Sequence, residues 1–163
     1  MIIGAGDIAS ILVDRDGAIF FASGVSNSNE FRNEEFDREK NLLLKQDKTQ
    51  CIFYFSSITI DYTEKFEKSR YLQHKLEMEN LIKNNFENYN IIRIGNISWG
   101  TNPNTFLNYI RGKMKNGEIV EIKDEYKYMI DKEHILLLTN NLPLKGKNII
   151  SVFGRMAKVK DLI

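Results

Sequence analysis

Cysteine is nearly absent from these 163 residues: Cys51 is the only one. A lone thiol rules out an intrachain disulfide and a multi-thiolate metal centre, and its mostly apolar neighbours predict a buried group in a cytoplasmic protein. Histidine is almost as scarce. His74 and His134 stand far apart without neighbouring ligands, so no metal is expected. Charge of one sign is also missing, since 23 basic residues face 22 acidic ones for a net charge of +1. No field exists to gather nucleic acid or an anionic membrane. The longest apolar stretches, such as Ile52 to Phe55 and Ile135 to Leu138, fall far short of the roughly 20 residues that cross a bilayer. Met1-Ile2-Ile3-Gly4 lacks the basic start and cleavage site of a secretory leader, which argues against export.

A hydrophobic share of 42% matches one ordinary domain over 1–163 that buries its own core. Short β-rich runs alternate with helix-like segments, the pattern of a parallel sheet covered by helices on both faces. Strands are predicted at Met1 to Ile3, Ala18 to Ala22, Cys51 to Phe55, Ile91 to Ile94, Glu118 to Ile122 and Asn148 to Val152. Helices are predicted at Asp7 to Leu12, Phe36 to Lys45, Arg70 to Asn84, Thr105 to Lys115 and Lys132 to Thr139, with a short one near Lys158 to Ile163. Ser69 and either Asn104 or Thr105 supply N-cap oxygens. Ser23 to Glu35 reads as an exposed loop. Lys113 to Gly117 reads as a solvated helix end closed by glycine.

Two motifs could carry chemistry. Gly4-Ala5-Gly6-Asp7-Ile8-Ala9 has the form G-x-G-x-x-A after a short apolar strand. Its glycines permit a tight turn and close approach of backbone to a pyrophosphate seated at a helix start, although a turn that binds nothing fits equally well. Tyr71 and Lys75 stand four apart on one predicted helix face, so the phenol and the ammonium share a space. A cation there is expected to lower the tyrosine's pKa and make it an acid or base nearer neutrality. The spacing recurs at Tyr109 to Lys113 and Tyr128 to Lys132. Only Tyr71, however, follows an apolar strand ending in Ser56-Ser57, and ligands bind at the carboxyl ends of parallel strands.

These elements, in order, resemble the short-chain dehydrogenases, in particular the extended branch of NAD-dependent sugar-nucleotide epimerases, dehydratases and reductases. The resemblance covers nearly the whole chain. It rests on Gly4 to Ala9, Phe20-Phe21-Ala22-Ser23-Gly24, Phe55-Ser56-Ser57, Tyr71 with Lys75, Ile92-Arg93-Ile94-Gly95-Asn96 with Trp99-Gly100, and Tyr128 to His134. It implies a truncated Rossmann-like, doubly wound, mainly parallel sheet with a small C-terminal substrate-side region. It further implies NAD or NADP as cofactor, a nucleotide-sugar substrate and a place in polysaccharide synthesis. Ser57 would hydrogen-bond the reacting oxygen, Tyr71 would exchange its proton, and Lys75 would tune Tyr71 and anchor the nicotinamide ribose. Gly4, Gly6, Asp7, Ile8, Ala22, Ser23 and Gly24 would line the cofactor, and Asn96 would face substrate.

The chain departs from this pattern where only nine residues separate Ala9 from Ile19. The rest of a helix, two strands and a further helix are expected there in the family. That piece ordinarily carries the residue that reads the adenosine ribose, roughly 20 positions past the glycines. Asp14 and Asp16 come too early to inherit its role. The span from Ser57 to Tyr71 is also short. Two readings follow. One is a small enzyme working through the Ser-Tyr-Lys trio. The other is a degenerate Rossmann binding or interaction module, self-associating as a homodimer through the sheet edge left by the lost strands.

Overall fold

The computed structural model describes residues 1–62, 69–122 and 125–163; part of the Ser57 to Tyr71 span lies outside them. Five parallel strands form the main sheet, in spatial order β1 (Ile2–Ile3), β2 (Ala18–Phe21), β3 (Cys51–Ser57), β4 (Tyr89–Ile94) and β7 (Lys147–Val152). Strands β2, β3 and β4 are buried on both faces, which explains their unbroken apolar runs. Alternate residues serve two cores. Ala18, Phe20, Cys51, Phe53, Phe55, Ile92 and Ile94 face one side, packed with Ile135 from helix α4 (Lys132–Asn141) and Leu12. Ile19, Phe21, Ile52, Tyr54 and Ile91 face the other, covered by Leu43 of helix α1 (Asn33–Leu44) and by Met78 and Ile82 of helix α2 (Arg70–Asn85). The doubly wound architecture is as expected. Cys51 is buried, and desolvation pushes its thiol up to about 11.

A second sheet of three strands holds β5 (Asn96–Ile97), β6 (Tyr126–Ile130) and β8 (Arg155–Lys158), with helix α3 (Phe106–Lys115) between β5 and β6 in sequence. β6 pairs in parallel with β5 and antiparallel with β8. This small lobe departs most from expectation. Glu118 to Ile122 is not a strand, and Ile119 is almost fully exposed. The strand falls instead at β6, whose Met129 and Ile130 reach the core. β5 and β8 were not anticipated. Among the described residues no helix is long and apolar enough to cross a membrane.

Two predicted helices shrink to single turns. Asp7 to Leu12 holds only the 3₁₀ turn Ala9–Ile11, because the chain must reach β2 within a few residues and cannot propagate a helix. The terminal one is a 3₁₀ turn at Val159–Asp161, since β8 takes Lys158. α1 begins at Asn33, earlier than predicted. Ser69 caps α2, its Oγ accepting from Leu72 N at 3.3 Å. Thr105 stands at the N-cap of α3, but its hydroxyl donates to Asn102 O at 3.0 Å and caps no helix N–H. Gly117, with φ of +73°, closes α3 just past Lys113 and Lys115.

Candidate active site

Parallel strands place their carboxyl ends along one rim of the sheet, and the loops leaving β1, β2, β3 and β4 open there onto a cleft of about 1590 Å³. Its lining brings together Gly6, Asp7, Ile8, Ala22, Ser23, Gly24, Ser57, Tyr71, Lys75 and Asn96. Residues up to 90 positions apart in sequence meet here because each follows a strand or begins the helix after one. Of the predicted site residues, Gly4 alone does not line the cleft. Its φ is +127°, and an added Cβ would strike the Ala22 carbonyl, so Gly4 lets the turn cross the end of β2. Gly6 differs: a Cβ there would meet open space.

The turn after β1 is fastened to the far side of the cleft. Asp7 accepts from Thr101 N at 2.9 Å and Asn102 N at 3.0 Å, and its carbonyl accepts from Trp99 Nε1 at 3.2 Å. Gly100, with φ of +98°, leaves the space that the Asp7 carboxylate fills. Asp7 thus braces a loop. Its carboxylate is committed to backbone N–H groups and is not presented to a ligand. Across the cleft, Gly95 lets Asn96 lie close to β6, where Asn96 Nδ2 donates to Tyr128 O at 3.3 Å. Tyr62 of the loop after β3 and Tyr128 of β6 both line the cleft, so the loop and the small lobe face each other across it.

Ser57 ends β3, and its Oγ accepts from Thr59 N at 3.3 Å, which fixes the loop that leaves the strand. Tyr71 lies on the first turn of α2, and Lys75 follows one turn later with Nζ 5.7 Å from the Tyr71 ring centroid. Lys75 is 3% exposed, and its ammonium turns inward. It donates to Tyr54 Oη at 3.1 Å and lies 3.6 Å from Glu39 Oε1. Glu39 is wholly buried: Oε1 accepts from Tyr54 Oη at 2.8 Å, and Oε2 from Val25 N at 2.7 Å with His74 Nε2 at 2.9 Å. These partners hold its carboxyl down at about 2 against the opposing effect of burial. The expected depression of Tyr71 is overturned. Burial raises its pKa, Lys75 counters this, and Glu39 adds to the rise.

Glu39 and Tyr54 were missed by sequence reasoning. A signal existed, since Phe36, Glu39 and Leu43 lie on one face of α1, where a carboxylate amid apolar residues needs a buried partner. A second polar cluster, built on the buried Glu79, braces the loop after β3. Arg93 makes two contacts to Glu79, at 2.9 and 2.6 Å, and one to Asp61 at 2.5 Å, and Ser56 Oγ donates to Glu79 at 2.7 Å.

No protein-family model matches the sequence, and comparison with curated proteins gives no match. Solved structures do match in shape. The enzyme WbmG of Bordetella bronchiseptica, solved with NAD and UDP, superposes with a TM-score of 0.65 at 10% identity, covering 89% of this chain and 53% of its own. The UDP-N-acetylglucosamine 4-epimerase of Methanobrevibacter ruminantium, solved with UDP-N-acetylmuramic acid, gives 0.65 at 17%, covering 96% and 61%. A variant UDP-glucuronic acid 4-epimerase of Bacillus cereus, solved with a fluorinated UDP-sugar and NAD, gives 0.65 at 14%, covering 95% and 59%. The chain therefore has the doubly wound Rossmann-type fold of these proteins, over between about half and three-fifths of their length.

Proposed function

We propose that this chain binds NAD or NADP in the cleft and acts on a nucleotide-activated sugar, in a reaction of the oxidoreductase, epimerase or dehydratase kind, through Ser57, Tyr71 and Lys75. One observation carries the reading: those three side chains, the open Gly6 turn, Ala22-Ser23-Gly24 and Asn96 all line one cleft at the carboxyl ends of the strands. At about 1590 Å³ it exceeds the roughly 300–1,000 Å³ of an ordinary ligand pocket, which leaves room for a dinucleotide beside a substrate. The similar solved structures that hold NAD or UDP-sugars support the same reading.

The residues fit the nicotinamide and pyrophosphate portions of such a cofactor. Gly6 leaves room for a phosphate against backbone, and Ala22 to Gly24 offer a small-residue wall. They do not fit the adenosine end, where among the described residues β1 is the last strand and the turn after it is a single 3₁₀ turn. When bound, the nicotinamide supplies hydride chemistry. The chain's own groups do the rest: Ser57 Oγ hydrogen-bonds the reacting oxygen, Tyr71 Oη holds or moves its proton, and Lys75 sets the charge beside Tyr71. Asn96 lies on the substrate side.

The test is titration with NADH and NADPH, read by quenching of Trp99, whose indole is hydrogen-bonded to the glycine turn. Saturation in the micromolar range is expected. Absence of binding up to millimolar ligand would overturn this reading in favour of a degenerate interaction module, which the unpaired edge of β1 and the inward turn of Lys75 would then explain.

A further inference from the structure

We infer that Glu39 is a positioning residue for the catalytic pair: by binding the Lys75 ammonium from inside the protein, it keeps that cation from drawing the proton off Tyr71. Tyr71 then stays a neutral phenol, suited to give a proton to a substrate oxygen and poorly suited to take one. The inference deepens the proposed function and rests on it for its catalytic meaning, but the electrostatics stand on the geometry alone.

The argument begins with distance. Lys75 Nζ lies 3.6 Å from Glu39 Oε1 and 3.1 Å from Tyr54 Oη, yet 5.7 Å from the Tyr71 ring centroid. A carboxylate this close turns the field at Tyr71 from that of a bare cation into that of an ion pair, which falls off faster with distance. Burial strengthens the pairing, since Glu39 is 0% and Lys75 3% exposed. The position is enforced from both sides. An added Cβ at Gly24 would come within 2.7 Å of Lys75 Nζ and 2.9 Å of Glu39 Oε1, so a side chain there would push the pair from its present position.

Among the described residues, the titratable groups around this pair are few. Tyr71, His74 and Lys75 come from α2, Glu39 from α1 and Tyr54 from β3, with Glu79 of α2 one step beyond, facing Tyr54. Glu39 and Lys75 balance in charge. The pKa of Tyr71 is raised mainly by burial, Lys75 lowers it, and Glu39 offsets part of that lowering, which agrees in direction with the pairing. Nothing in the sequence spacing of Tyr71 and Lys75 reveals this, because the carboxylate arrives from a different helix.

Tyrosinate absorbance tests it without cofactor or turnover. Subtracting the titration of Tyr71→Phe from that of the unmodified chain isolates Tyr71, and the same difference is taken in a Glu39→Gln background. With Lys75 unopposed, the Tyr71 midpoint is expected to fall by about one pH unit or more, while Glu39→Asp, which keeps the charge, stays near the parent. A midpoint that is unchanged or higher in Glu39→Gln overturns the inference. So does an equal fall in Glu39→Asp, which would mark a packing effect. If Glu39→Gln does not fold, the double variant Glu39→Gln/Lys75→Met serves, since neutral groups often replace a buried ion pair without loss of fold. Removing both charges is expected to leave the Tyr71 midpoint within about half a unit, whereas a rise beyond about one unit shows that Lys75 acts unopposed and overturns it. Failure of the NADH titration with success here would sink the enzyme reading alone.

Discussion

At the scale of single residues, the two glycines of the first turn have opposite duties. Gly4 has a left-handed φ, and its missing Cβ makes way for the Ala22 carbonyl, so Gly4→Ala strains the backbone and displaces β2. Gly6 has neither constraint. We expect Gly4→Ala to lower stability by roughly 1–3 kcal/mol in urea denaturation. Gly6→Ala should melt at or slightly above the parent, yet bind NADH about tenfold or more weakly, because its methyl occupies the space a phosphate would take. Equal loss of stability in both variants would show that Gly6 also serves packing.

Glu39 gives a pH dependence at the same scale. Its folded pKa, about 2, lies below the ordinary 4.5, so the folded state binds its proton less readily than the unfolded chain does. The stabilisation is therefore complete above about pH 4.5 and is lost as pH falls towards about 2. A shift of this size corresponds to something on the order of 3 kcal/mol. Chemical denaturation across that window is expected to show a shallower acid loss in Glu39→Gln than in the parent. Glu30, also held near 2 by Arg32, contributes equally to both and cancels in the comparison.

At the scale of elements, the segment between β1 and β2 shows how a short connection substitutes for a missing helix. Having no room to propagate a helix, it contributes Arg15, whose Nη1 donates to Thr139 O at 3.2 Å and Leu142 O at 2.8 Å. These are unpaired carbonyls at the end of α4, where a cation also complements the helix dipole. Arg15→Ala should cost about 1–2 kcal/mol and increase hydrogen exchange in the last turn of α4. Exchange that rises throughout the molecule would assign Arg15 a global role. The small lobe makes the related point that propensity does not choose between neighbouring segments. Glu118 to Ile122 and Tyr126–Ile130 are both rich in strand-forming residues, and β6 forms where β5 and β8 stand on either side to pair with it.

At the scale of the whole molecule, the cleft proposed to hold the cofactor opens on a sheet whose edge strand is β1. With no strand beyond β1 among the described residues, the adenosine half of a cofactor bound as proposed would project over the sheet edge and gain little from contact. Reduced nicotinamide mononucleotide is therefore expected to bind within about tenfold of NADH, a difference of roughly 1.4 kcal/mol, and NADH within a few-fold of NADPH. A gap of a thousandfold in isothermal calorimetry would mean that some other surface recognises the adenosine.

The sequence by itself determined the five strands of the main parallel sheet, the helices on both faces, and that Ser57, Tyr71 and Lys75 line one cleft. Each follows from local rules: unbroken apolar runs for buried strands, a cap and i,i+4 spacing for α2, and strand ends that open on one side. Only the tertiary structure decided where Lys75 points and what Asp7 holds. Glu39, Tyr54 and Lys75 belong to three different elements, and Asp7 grips backbone more than 90 residues away. Such contacts are set by the packing of α1 and α2 on the sheet and of the 100–102 loop on the glycine turn, distances that no local periodicity encodes.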